Sequence, residues 1–104
     1  MRANTIKIIH LRRLASKKQG RRCYYCTRVM GSQAQLRCTA EHLIARSEQG
    51  RDSKTNIVAA CNFCNAMRHR LFPQLIAREY AAIVRKLVRL NQWHEQHPAW
   101  TSLA

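Results

Sequence analysis

Apolar positions along the 104-residue chain fall into three regimes, each with its own period. Near the N-terminus Ile6, Ile9, Leu11 and Leu14 recur at roughly helical spacing behind Asn4, a residue type that caps helices, so a short helix is predicted there. A solvated basic extension is the competing reading. From Cys23 to about Leu71 the pattern breaks into short pieces. Gln35 to Thr39 reads as extended, and Ile57-Val58-Ala59-Ala60 as a short buried strand with a β-branched start. Between them Arg46 to Asn56 is polar, carries Gly50 for a turn, and reads as an ordered or functional loop. After Phe72-Pro73, Ile76, Tyr80, Ile83, Leu87 and Leu90 recur at intervals of four, three, four and three. That stripe predicts an amphipathic helix closing the core, with Pro73 suited to its first turn and Asn91 to its end. The tail from Gln92, with Trp93, His94, His97, Pro98 and Trp100, shows no period.

Composition adds a constraint on size and a direction for partners. A chain this short makes one small domain and buries only about two thirds of its unfolded surface, so a staple beyond the apolar core is expected. With 46% apolar and 23% charged residues it is globular and not a disordered basic tail. No apolar run exceeds five residues, far short of a membrane span, and charge interrupts the N-terminus before a signal sequence could form. These features predict a cytoplasmic protein without a membrane partner. Nineteen Lys and Arg against five Asp and Glu leave a net charge of +14, which makes nucleic acid the first partner to consider. The charge is uneven: residues 1–40 hold ten Lys or Arg and no acid, and Arg78, Arg85, Lys86 and Arg89 form a basic face on the last helix.

Four of the five cysteines form two pairs, Cys23-x-x-Cys26 and Cys61-x-x-Cys64, with 34 residues between them. In a reducing compartment this is metal-ligand spacing, and four thiolates close a tetrahedral Zn²⁺ site with no position left for substrate. The zinc is therefore expected to be structural, with an iron–sulfur cluster as the minor alternative. Four thiolates and one dication lower the folded charge to about +12, which leaves the polyanion argument intact. Cys38 remains over and reads as a small buried hydrophobe. Tyr24 and Tyr25, inside the first pair, are suited to packing over the knuckle more than to stacking on bases.

Glu41 and His42 come directly after the first predicted strand, Asn56 opens the second, and Asn65 follows the last cysteine at the start of a helix. Folding both pairs onto one zinc draws the end of the first strand toward that helix. A carboxylate and an amide oxygen then suit a hard cation such as Mg²⁺ or Mn²⁺, and a neutral imidazole beside it suits a general base.

At these residues the chain resembles the HNH endonucleases, the His-Me finger or ββα-metal nucleases, in the subclass framed by two zinc knuckles. The match runs from Cys23-x-x-Cys26 through Thr39-Ala40-Glu41-His42-Leu43, Ser47, Gly50 and Asn56-Ile57-Val58 to Cys61-x-x-Cys64-Asn65. It departs at Glu41, where Asp or His is more usual, and at Ala45 and Gln49, where Pro and Gly are common. The resemblance implies an α+β fold: a small zinc-stapled ββα-metal core over 23–72, a basic N-terminal extension over 1–22, and a C-terminal helix and tail over 73–104. It implies that His42 is the general base and that Glu41 and Asn65 hold a catalytic divalent metal, with His69, one helical turn after Asn65, as a candidate third ligand or phosphate contact. Asn56 would brace the loop and orient the His42 ring, and Arg68 would bind phosphate. The implied activity is metal-dependent hydrolysis of phosphodiester bonds in DNA, duplex first. Arg21, Arg22, Arg85 and Arg89 would contact backbone phosphates with modest sequence preference. The alternatives are a non-catalytic zinc-ribbon-like nucleic-acid-binding module and an inactive HNH fold.

Overall fold

Helix α1, Ala3–Lys18, is longer than the apolar spacing of the extension suggests. In the computed structural model, which describes residues 3–93, it starts before Asn4, so Asn4 lies inside the helix and is not its cap. Its run contains neither Gly nor Pro, and it stops at Gly20, whose φ of +64° is left-handed. The N–H groups of Gly20 and Arg21 bond back to Lys17 O and Ser16 O, satisfying two terminal carbonyls. Lys17 and Lys18 complete the last turn, where cations favour the helix dipole.

Two short strands follow, β1 (Cys38–His42) and β2 (Ile57–Cys61), paired antiparallel with Cys38 opposite Cys61 and His42 opposite Ile57. The stretch expected to be extended from Gln35 begins instead as a single 3-10 turn, Ala34–Leu36. The strand starts three residues later, so Glu41 and His42 are its last two residues and do not follow it. Asn56 precedes β2 and does not open it. Helix α1 lies against both strands, with Leu11 buried. The Gln19 side chain then closes the free edge of β2: Nε2 donates to Ala59 O (2.8 Å) and Oε1 accepts from Ala59 N (3.0 Å). The extension thus supplies the partner of Ala59 N on a sheet edge whose Ala59 O is also taken by Tyr24 N (2.9 Å).

Helix α2, Asn62–Leu71, leaves β2 directly through Cys61, whose Sγ accepts from Cys64 N and caps the first turn. The order β1, loop, β2, α2 is the ββα unit. Helix α3, Ala77–Arg89, packs beneath it and ends at Asn91, whose φ of +56° supports a reversal in which Asn91 N and Gln92 N bond to Val88 O and Leu87 O. Its buried face is Ala77, Tyr80, Ala81 and Val84, whereas Ile76, Ile83 and Leu90 from the expected stripe are exposed. Two alanines let the helix approach closely while Val84 and Tyr80 fill the space, with Leu87 partly buried against the core, so the expected stripe holds at Tyr80 and Leu87. Ile76 is the residue before the helix, and its N–H is taken by the Glu79 carboxylate (3.2 Å).

The core surrounds the cysteines. Tyr25, Phe63, Met67, Tyr80, Val84 and Trp93 are buried with them, and the rings meet edge to face, Tyr25 with Tyr80 at 4.8 Å and Phe63 with Trp93 at 5.6 Å. No helix among the described residues is long and apolar enough to cross a membrane. His94, His97, Pro98 and Trp100 lie outside the described residues.

Candidate functional site

The first knuckle is a tight turn in which Cys23 N bonds to Arg28 O, Thr27 N to Cys23 O, and Thr27 takes a left-handed φ of +67°. It delivers Cys23 and Cys26 to Cys61 and Cys64 at the β2–α2 junction. The four Sγ atoms lie within 4.8 Å of one another, all buried. The Cys26–Cys61 separation is 3.9 Å, close to the edge of about 3.8 Å for a tetrahedron with Zn–S bonds of about 2.3 Å. Donors already face the sulfurs: Tyr25 N to Cys23 (3.3 Å), Cys64 N to Cys61 (3.4 Å) and the Trp93 indole N–H to Cys64 (3.3 Å). Such donors stabilise thiolates and orient them toward a metal. Without a dication the four sulfurs cannot all ionise. Hydrogen bonds from Cys26, Cys61 and Cys64 push the Cys23 thiol well down, while burial pushes Cys64 well up. The four cysteines are positioned to hold a structural zinc, and among the described residues no other group of three or more His, Cys, Asp or Glu side chains is close enough to hold a metal. Cys38 stands apart from them, half-buried at the start of β1, its thiol pushed up by burial.

On the other side of the ββα unit an open cleft of ≈ 440 Å³ is lined by Glu41 and His42 from the end of β1 and by Asn65, Arg68 and His69 from α2. Glu41 is only 4% exposed. Its Oε2 accepts from the Tyr25 hydroxyl (3.2 Å) and pairs with Arg68 Nη1 (3.0 Å), and its Oε1 faces His69 Nε2 at 3.3 Å. Burial and the adjacent Glu41 charge push the Tyr25 phenol above its ordinary value, so it is a neutral donor across the physiological pH range. Arg68 is 8% exposed, and its guanidinium reaches Glu41, Tyr25 and the carbonyls of His42 and Leu75. The guanidinium is thus the buried counter-ion of Glu41, and it also lines the cleft where a phosphate contact was expected of it.

The donor set fits a divalent cation. Glu41 Oε1 and His69 Nε2 are 3.3 Å apart, near the edge of about 3.0 Å between adjacent ligands of an octahedral ion with bonds of about 2.1 Å. Asn65 Nδ2 donates to Thr39 Oγ1 (2.9 Å) and Ala40 O (3.4 Å), which turns the amide so that Oδ1 remains the open acceptor.

His42 has a partner that the spacing of the motif does not suggest. Its Nε2 is 2.7 Å from Asp52 Oδ1, and Arg46 grips the same carboxylate with Nε to Oδ1 (3.2 Å) and Nη2 to Oδ2 (3.0 Å). An ionised carboxylate only accepts, so the short contact puts a proton on Nε2, which in the neutral ring leaves the lone pair on Nδ1 and makes the 3.3 Å approach of Arg46 Nε to Nε2 a contact and not a hydrogen bond. The hydrogen bond from His42 holds the Asp52 carboxyl below its ordinary value, against some burial and with added help from Arg46.

Asn56 sits under the loop that carries Asp52. Its Oδ1 accepts from Ile44 N (2.8 Å), and its Nδ2 donates to Ile44 O (3.0 Å) and Arg51 O (2.8 Å). Gly50 completes the closure, because a Cβ there would lie 1.7 Å from Ile44 O. Asn56 makes no hydrogen bond to the His42 ring, whose polar contacts are to Asp52 and Arg46. Arg21, Arg22, Arg85 and Arg89 lie outside the lining of the cleft. Arg22 donates to Thr27 O, and Arg85 donates to Tyr24 O while lying over the Tyr24 ring at 5.1 Å, so both brace the first knuckle.

No curated protein matches the chain. The family model for HNH endonucleases matches residues 23–71, a span that opens on Cys23 and takes in both strands, the loop between them and α2. Over that span the protein is an HNH-family domain, of the kind built on two zinc knuckles.

Proposed function

We propose that the protein is a metal-dependent endonuclease that hydrolyses phosphodiester bonds in duplex DNA in the cytoplasm. The observation that carries this reading is His42: its Nε2 is held by Asp52, and it lines the same cleft as Glu41, Asn65 and His69. With Nε2–H fixed on Asp52, Nδ1 is the basic atom. It takes a proton from a water whose oxygen bonds to phosphorus, while the bond from phosphorus to the 3′ oxygen breaks. Glu41, Asn65 and His69 would hold the divalent metal, which when bound offsets charge on the phosphate and the leaving oxygen. Asn56 and Gly50 keep the loop closed, so Asp52 stays where it orients the ring. Net charge supplies the affinity for a polyanion, with phosphate contacts dominating and salt weakening them.

One observation favours a second reading, a nucleic-acid-binding protein on an inactive HNH fold. Arg68 at 3.0 Å neutralises Glu41 and competes with a cation for it. A plasmid-nicking assay with Mg²⁺, Mn²⁺ or Ni²⁺ decides between the two. The enzyme reading expects metal-dependent nicking by the natural chain and a loss of at least about 10²-fold in His42→Ala, the usual contribution of a general base. Equal cutting by His42→Ala, or no metal-dependent product at low salt, overturns it in favour of the second. Single-stranded RNA run beside duplex DNA tests the substrate.

A further inference from the structure

A second open groove, of ≈ 580 Å³, runs between α1 and β1 and is lined by Ile8, Arg12, Arg37, Cys38, Thr39 and Ala40. Ala40 also lines the cleft that holds Glu41 and His42, so the two depressions meet along β1. The cations around them differ in one respect. Arg46 and Arg68, beside the cleft, are paired with Asp52 and Glu41, and Arg22 and Arg85 are tied to backbone carbonyls of the first knuckle. Arg12 and Arg37 have no ion pair among the described residues, whose paired arginines are Arg46 and Arg68. Arg37 is exposed, and Arg12 is half-buried against the Cys38 side of the groove.

The geometry points to this groove as the binding site for the phosphate backbone of the nucleic acid flanking the reacting phosphate, with Arg12 and Arg37 as its ligands. This rests on the endonuclease reading for the position of the reacting phosphate, though not for the binding itself. Arg37 directly precedes β1 and lies four residue steps before Glu41, about 13 Å at the rise of an extended strand. Over that length of duplex axis one strand carries roughly four phosphates. The two arginines are thus within a few nucleotides' reach of the cleft. The assignment differs from the sequence expectation, which gave the backbone contacts to Arg21, Arg22, Arg85 and Arg89. It also gives α1 a second role, because the helix that lies against both strands delivers Arg12 to the substrate side of β1.

The test is fluorescence anisotropy of a labelled 20-base-pair duplex against the non-cleaving His42→Ala chain, over a salt series. Adding Arg12→Gln and Arg37→Gln weakens binding uniformly across sequences and lowers the slope of log affinity against log salt by about 1.8, about 0.9 per phosphate contact. Lys86→Gln with Arg89→Gln, the same loss of charge on α3, leaves the slope nearly unchanged. The proposal is overturned by an unchanged slope in the Arg12/Arg37 variant, or by an equal fall in the α3 variant. Arg37→Gln alone, at an exposed position, and Arg12→Lys, which keeps the charge, separate lost binding from lost folding. If nicking by the natural chain fails while the slopes behave as expected, the endonuclease reading falls and the groove stands; intact nicking with unchanged slopes removes the groove alone.

Discussion

His42 Nε2 and Asp52 Oδ1 lie 2.7 Å apart, with Arg46 closing on the far oxygen of the carboxylate at 3.0 Å. The contact fixes the ring's tautomer as well as its direction. Asp52→Asn is expected to lower kcat for plasmid nicking by about 10 to 100-fold, the usual cost of losing an orienting partner, with KM for DNA and zinc content little changed. The amide can face the ring with its N–H₂ group and force the proton onto Nδ1, so the nitrogen chemical shifts of His42 report the change directly. Unchanged kcat with an altered tautomer would show that the pair serves the loop and not the reaction.

The same pair carries a pH dependence with a definite sign. Because the hydrogen bond from His42 depresses the folded carboxyl below its ordinary value of 3.8, the pair contributes stability above that value. The contribution is lost as pH falls through the lower folded value. Thermal melting of the natural chain should therefore show an acid-side loss that Asp52→Asn lacks.

Zinc and fold should be inseparable. The four cysteines lie inside the core with Tyr25, Phe63, Tyr80 and Trp93, so removing one ligand opens the centre of the molecule. Cys23→Ser or Cys61→Ser is expected to lose bound zinc and cooperative melting together, as in small metal-stapled domains whose binding free energy is their folding free energy. Glu41→Gln, which keeps a side chain able to meet Tyr25 and Arg68, should retain zinc at one ion per chain by metal analysis while losing nicking.

Glu41 and Arg68 are coupled more tightly than a metal ligand and a phosphate contact would be. Both are buried, and removing the arginine leaves a carboxylate with only the Tyr25 hydroxyl and the exposed His69 for company. Arg68→Met is expected to destabilise the fold by about 3 kcal/mol, within the usual range for breaking a buried pair. Adding Glu41→Gln should recover a large part of that loss. Denaturant unfolding of the two single variants and the double variant gives the coupling, and additive effects would show that the pair is not an energetic unit.

What can be read in the sequence follows from how local each signal is. The knuckles are legible because ligand spacing is a property of four or five consecutive residues, and the family match confirms their frame. Glu41, His42, Asn65 and His69 come to one cleft because the two knuckles clamp β1 against α2, a closure that the cysteine positions imply. Asp52 is hidden because its contact depends on how the loop from Leu43 to Asn56 closes, which rests on three hydrogen bonds of Asn56 and on Gly50. Its one visible signal is an acid in a loop already marked by Gly50 and Asn56. The pairing of Arg68 with Glu41 is hidden because helical spacing alone does not say which basic residue of α2 turns inward. On α3 the expected stripe is right at Tyr80 and Leu87 but not at Ile76, Ile83 and Leu90, since Ala77 and Ala81 mark the close approach.

His69 differs from His42 in where its loss should appear. Its side chain is 63% exposed, and its Nε2 meets Glu41 Oε1 at 3.3 Å. A ligand at the rim of a metal site contributes to affinity for the ion, whereas a general base contributes to the chemical step. His69→Ala is therefore expected to raise the Mn²⁺ concentration for half-maximal nicking by about 10 to 100-fold and to recover most of its kcat at saturating metal. His42→Ala should remain slow at any metal concentration. A His69 variant that stays slow under saturating Mn²⁺ would place this histidine on the reacting phosphate instead, because only a group acting in the chemical step resists rescue by the ion.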